Sequence, residues 1–262
     1  MMRPWLVMHV AILLMAGGAG PAGAAASLGV VLLHGKTGTP EQMGKLAATL
    51  KDAGYAVSTP EMCWSKSRIF DKALPDCLKE VDAAVAGLKS GGASRIVIGG
   101  VSQGAIVAID YGATHTGLAG VVALAPAADP PDASKYPDFA AAIKTAQAAV
   151  KARKGNEVGE YDDLIDGAPI TVNATAANYL SFHDPKAPSS TIRGVKGKLL
   201  PKLTVPLLWV AGTNDPTQAS TRAVFGAAPD NKLSNYERVE ADHAGTPDAS
   251  GDIVVAWLKT LP

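Results

Sequence analysis

Short unbroken apolar runs alternate with helical stripes along most of this chain, and that alternation admits very few architectures. The first run, Gly29-Val30-Val31-Leu32-Leu33, reads as a strand buried on both faces of a parallel sheet. Tyr55-Ala56-Val57, residues 95–99, residues 120–124, residues 205–210 and residues 236–240 read as further strands. Helices separate them. Thr39 is placed as an N-cap with Pro40 at the first helical position, and Gln42 completes a capping box with Thr39. Met43, Leu46, Ala47 and Leu50 follow at helical spacing until Gly54 stops the helix. Leu74, Leu78, Val81, Val85 and Leu88 form a second stripe, and a third helix runs over about residues 103–111. Ala223-Val224 marks a short helix, and Ile253, Val254, Trp257 and Leu258 mark the closing one. The expected class is α/β, with a mostly parallel central sheet and helices on both faces.

One stretch breaks the alternation. From about 129 to 202 the sequence offers one amphipathic helix (Phe139, Ile143, Gln147, Val150), then polar and Gly/Pro-rich segments without a clear buried strand. This reads as a helical insertion above the sheet, after the fourth core strand. Tyr161, Tyr179, Phe182 and His183 are candidates for the inner surface of a lid, the alternative being that they pack the insertion onto the core. Glu160, Asp162 and Asp163 could be taken for a metal site, but a solvated acidic loop is the preferred reading. Asn173-Ala174-Thr175 matches a glycosylation acceptor.

The first 26 residues stand apart from the fold. Arg3, an apolar run over residues 5–15 and the Ala22-Gly23-Ala24-Ala25-Ala26 segment have the layout of a secretory signal peptide. The apolar run falls short of the ~20 residues that span a bilayer, so the mature chain is expected to keep no membrane span. The remaining 27–262 is expected to form one domain, secreted or periplasmic. The two cysteines agree, because Cys63 and Cys77 lie close enough to pair in an oxidising compartment. Lys plus Arg and Asp plus Glu balance at 24 each, so no basic stripe points to nucleic acid. A small or neutral substrate fits this balance better.

The chemistry centres on Gly100-Val101-Ser102-Gln103-Gly104, which follows a buried strand and opens a helix. A serine on such a turn projects from the carboxyl edge of the sheet, and small flanking residues let strand and helix approach closely. His243, just past the last strand, is the candidate general base for Ser102. Asp242 beside it reads as a turn residue. Asp215, in the turn after residues 205–210, is the candidate for orienting the imidazole, with Asp129 as its competitor. Asp215 gives the chain order serine, acid, histidine. Backbone amides would supply an oxyanion hole: Gln103 at the helix N-terminus, and Lys36 in the His34-Gly35-Lys36-Thr37 loop. His34 is expected to shape that loop, and the Lys36 side chain to be solvated.

On these residues the mature chain resembles the α/β-hydrolase superfamily, in particular its compact esterase and dienelactone-hydrolase-like members. The resemblance rests on the His34-Gly35 loop, the elbow at Ser102, the Gly212-to-Asp215 turn and the Asp242-His243 loop. It implies a serine nucleophile, an acyl-enzyme, and neither cofactor nor metal. The chain departs from the family pattern in lacking the first antiparallel hairpin and in its insertion. Ester hydrolysis is the leading expectation. Acyl transfer or amide and peptide cleavage would use the same triad, and a non-catalytic binding module of this fold is the remaining alternative.

Overall fold

The computed structural model describes residues 27–126, 136–165, 168–184, 186 and 195–262. The expected leader and the competing acid Asp129 lie outside the described residues. The first half contains β1 (Ser27–Leu33), α1 (Gly44–Asp52), β2 (Ala56–Ser58), α2 (Leu74–Ser90), β3 (Ala93–Val101), α3 (Gln103–Thr114) and β4 (Gly120–Leu124). The insertion supplies α4 (Pro137–Lys151), β5 (Val158–Ile165), β6 (Ala168–Thr175) and α5 (Ala176–His183). β7 (Leu207–Gly212), α6 (Thr221–Phe225), β8 (Asn235–Val239), α7 (Thr246–Ala249) and α8 (Gly251–Leu258) complete the chain.

Six strands form the main sheet in the order β2-β1-β3-β4-β7-β8, and every neighbouring pair is parallel. All their carboxyl ends therefore share one edge. The chain leaves β1 for β2 on one side and crosses to β3 on the other, so the topological switch lies between β1 and β3. Alternate residues of each strand serve opposite layers. Val30 and Leu32 pack with Leu46 and Leu50 of α1 and Val254 and Trp257 of α8. Val31 and Leu33 belong to the other layer, with Val81 of α2 and Ile106 of α3. Two-sided burial explains why the strand sequences are unbroken apolar runs.

The insertion differs from expectation in two respects. It is not purely helical: β5 and β6 pair as an antiparallel ribbon, in register from Val158 opposite Thr175 to Ile165 opposite Ala168. Asp166-Gly167 between them is a strong hairpin dipeptide, a local signal that outweighs the polar composition around it. The buried face of α4 is Phe139, Ala142 and Ala146, while Gln147 and Val150 of the expected stripe are exposed. Small residues let α4 lie close to its neighbours. The insertion is also part of the core. Residues 104–112 of α3 are all buried, a pattern that requires cover on both sides of a helix. The sheet covers one side, and the other faces Leu203, just past the insertion, whose Val195, Leu199 and Leu200 share the same core cluster: a Cβ on Gly112 would lie 2.9 Å from Leu203 Cδ1 and 2.5 Å from Val121 Cγ2.

The expected capping box before α1 does not form. A short 3-10 turn (Pro40–Met43) precedes the helix, and the Thr39 side chain makes no cap bond. Gln42 uses its side chain elsewhere, as shown below. Cys63 and Cys77 are joined, with Cα atoms 5.8 Å apart, and fasten the loop after β2 to α2. Constraining that loop in the unfolded chain stabilises the fold by about 3 kcal/mol. Replacing both cysteines with alanine should lower the urea midpoint accordingly; an unchanged midpoint would contradict this role.

Candidate active site

Ser102 sits between β3 and α3 with φ 55° and ψ −117°, a left-handed conformation that ordinary side chains avoid. Its surroundings enforce it. The Ser102 amide donates to Leu124 O at 3.0 Å, and its carbonyl accepts from Ala105 and Ile106 at the start of α3. The flanking glycines are steric necessities. A Cβ on Gly104 would stand 2.3 Å from Leu33 O and 2.6 Å from His34 O, and one on Gly100 2.5 Å from the Gly104 carbonyl carbon. This close approach presses the elbow against the end of β1. It also brings the following loop alongside, since a Cβ on Gly35 would lie 3.4 Å from Ser102 Cβ.

Asp215 and His243 meet directly. Asp215 Oδ2 accepts from His243 Nδ1 at 2.6 Å, while Oδ1 accepts from the Thr217 amide and hydroxyl at 2.9 and 2.6 Å. The carboxylate is buried and both its oxygens are occupied. Their two loops are stitched together: Thr213 N donates to Val239 O, and Asn214 N to Ala241 O. A Cβ on Gly212 would clash with Ala241 O at 2.5 Å, so glycine permits this contact. Asp242 accepts from the Gly245 amide, the turn role expected of it. Because a carboxylate only accepts, His243 donates through Nδ1 and presents Nε2 as an acceptor. Nε2 is buried and has no hydrogen-bond partner among the described residues, so the Ser102 hydroxyl does not bond to it in this conformation. Ser102, Asp215 and His243 follow β3, β7 and β8, all on the same sheet edge.

The loop after β1 is clamped from several directions. Gly35 N donates to Gln42 Oε1 at 2.8 Å, which is the use Gln42 finds in place of capping. Thr37 N donates to Trp64 O at 2.9 Å, and the Trp64 indole donates to His34 O at 2.9 Å. Between them, the Lys36 amide has no partner among the described residues. His34 is buried and shapes the loop as expected, donating from Nδ1 to Gly35 O and accepting the Met62 amide at Nε2. Burial lowers its pKa from the ordinary 6.5, against a smaller opposing effect of the Gly35 carbonyl. The unfolded chain therefore takes up this proton at higher pH, and stability is lost as pH falls below about 6.5. Thermal midpoints should drop between pH 7 and 5, and less steeply in His34→Gln. Equal slopes would contradict the assignment.

A profile described as the alpha/beta hydrolase family matches residues 30–257. The chain belongs to that family. Among curated proteins, no sequence matches this hydrolase. Solved structures that resemble it include a Paleococcus ferrophilus monoacylglycerol lipase, at 20% identity and TM-score 0.61 over 88% of this chain and 93% of that one. One of the metagenome-derived lipolytic enzymes LipS and LipT resembles it at 20% identity and TM-score 0.59, over 88% and 91%. Est1E from Butyrivibrio proteoclasticus, with ferulic acid bound, is 17% identical with TM-score 0.58, over 92% and 93%. At these identities the likeness is one of fold.

The hydrolase also holds a cluster that sequence reading misassigned. Asp163 does not belong to a solvated loop: it is fully buried on β5, and Lys36 is not free in solvent but donates to its Oδ1 at 2.8 Å. Strand alternation turns Asp163 and Tyr161 inward and leaves Glu160 exposed and Asp162 half-buried. His183 Nε2 lies 3.0 Å from the same oxygen. Tyr161, Tyr179 and His183 stack in a ladder, with centroids 4.7 and 4.3 Å apart, and Phe182 packs on Phe70. All four candidates for the lid's inner surface are buried, as packing residues would be.

Proposed function

We propose that the chain is an exported serine hydrolase that cleaves small carboxylic esters through an acyl-enzyme on Ser102. The observation that carries this reading is the Asp215–His243 pair, whose Nε2, buried and without a partner among the described residues, lies on the sheet edge from which the strained Ser102 turn projects. Ser102 Oγ attacks the ester carbonyl carbon and gives its proton to His243 Nε2. As the tetrahedral intermediate collapses, His243 returns that proton to the leaving alcohol oxygen. A water then loses its proton to Nε2, attacks the acyl carbon and releases the acid, and Ser102 recovers its proton. Asp215 keeps the ring oriented and stabilises the imidazolium.

The developing oxyanion needs donors already aimed at it. In this reading they are the Gln103 amide, at the first turn of α3 with no partner among the described residues, and the Lys36 amide, held between two anchored neighbours. The chemistry requires no cofactor or metal. Ester cleavage is favoured over other acyl chemistry because two of the relatives in fold are named as lipolytic and as a monoacylglycerol lipase. Export is supported by the leader pattern in residues 1–26 and by the joined Cys63 and Cys77. No helix among the described residues is long and apolar enough to cross a membrane.

Stopped-flow hydrolysis of a nitrophenyl ester tests the reading. A burst of one nitrophenol per chain, followed by slower turnover, is the expected result. Its loss in Ser102→Ala completes the test, and an undiminished burst in that variant would refute the assignment.

A further inference from the structure

We propose that Lys36 and Asp163 are positioning residues whose ion pair lets the insertion set the β1 loop, and with it the Lys36 amide, for catalysis. The proposal rests on the reading of that amide as an oxyanion donor.

One residue joins two parts of the molecule. The Lys36 backbone lies in the loop beside Ser102, while its ammonium reaches Asp163 of β5, 127 residues away in sequence. Asp163 is poorly able to release it. The carboxylate has zero exposure, and all its donors converge on Oδ1: Lys36 Nζ at 2.8 Å, His183 Nε2 at 3.0 Å and the Leu164 amide at 2.7 Å. Oδ2 is buried without a partner among the described residues. A buried charge so served depends on every donor it has, because an uncompensated one is strongly disfavoured. Burial alone would raise the Asp163 pKa, but His183 and Lys36 outweigh it and hold the carboxyl well below the usual range.

The anchor itself is fixed. His183 Nδ1 lies 2.8 Å from Tyr179 O, and its ring stacks on Tyr179 and meets Phe70 and Phe139 edge-on. At the other end, Thr37 follows Lys36 with φ 53°, a left-handed conformation a β-branched residue keeps only when its surroundings dictate it. Gln42 and Trp64 hold the amides on either side of Lys36. The Asp163 contact is the tether that comes from the insertion, so a shift of β5 is transmitted to this loop.

Kinetics of Lys36→Met, Asp163→Asn and the double variant test the proposal in the full-length mature protein, alongside thermal midpoints and fluorophosphonate labelling. Misplacing one oxyanion donor should lower kcat about tenfold to hundredfold. KM should stay within about threefold, because positioning acts on the transition state more than on binding. The double variant should lose no more than the worse single one, since both changes remove the same tether. Lys36→Met removes the partly exposed partner and leaves His183 on Asp163, so it tests the idea even if Asp163→Asn folds poorly. A folded Lys36→Met protein with unchanged kcat, or with KM alone altered, would overturn the proposal while Ser102 still labels in the unmodified protein. Failure of the unmodified protein to label at Ser102 would overturn the hydrolase reading itself, and this proposal with it.

Discussion

Ser102→Ala should lower ester turnover by at least about ten-thousandfold while leaving the thermal midpoint nearly unchanged. The size follows from the chemistry, because no other oxygen in the proposed route can form the acyl bond. The small structural effect follows from the backbone. Ser102 holds its place through its amide on Leu124 and its carbonyl on Ala105 and Ile106, none of which uses the side chain. Alanine must still adopt φ 55°, so the strain persists in both proteins and cancels. Circular dichroism and steady-state rates on the same preparation separate the two effects. Residual activity within tenfold of the unmodified enzyme would mean that Ser102 is not the nucleophile.

Asp215→Asn is the second large effect, at about ten-thousandfold in kcat with KM little changed. An asparagine amide facing His243 can donate where the carboxylate only accepted. It then stabilises the tautomer with the proton on Nε2, which cannot accept from Ser102. The structure adds a detail to this prediction. Oδ1 of Asp215 is bound by the Thr217 amide and hydroxyl, so an asparagine will place its oxygen there and turn its NH2 to His243. The wrong tautomer is thereby enforced. Asp215→Ala, which puts no donor opposite His243, should show no such specific inversion. A near-normal rate for Asp215→Asn would transfer the orienting role to another acid.

Much of this architecture was legible because the strands are buried on both faces and therefore carry their own signature. Val30 to Leu33 needs no partner information to read as a central parallel strand, and the glycines around Ser102 imply the tight elbow that the clashes at Gly100 and Gly104 explain. The serine–acid–histidine order was equally open to inspection. The Asp215–His243 hydrogen bond gives that order a geometry, while the link to Ser102 remains the proposed step. The insertion was harder to read, for physical reasons. Its ribbon is half-buried, so apolar and polar residues mix, and only Asp166-Gly167 marks the reversal. The partnership of Lys36 with Asp163 depends on tertiary approach across the whole chain, and no local pattern encodes it. Gln42 shows the same limit. Its spacing from Thr39 fits a capping box, yet the nearby Gly35 amide claims its side chain.

Fluorophosphonate labelling followed by peptide mapping is the most direct measurement of the central claim. The reagent phosphonylates an activated serine and needs no knowledge of the natural ester. The account predicts one adduct per folded chain, on the peptide that contains Ser102, absent from Ser102→Ala and strongly slowed in His243→Ala. A folded protein that takes up no label, or takes it up on another residue, would contradict it.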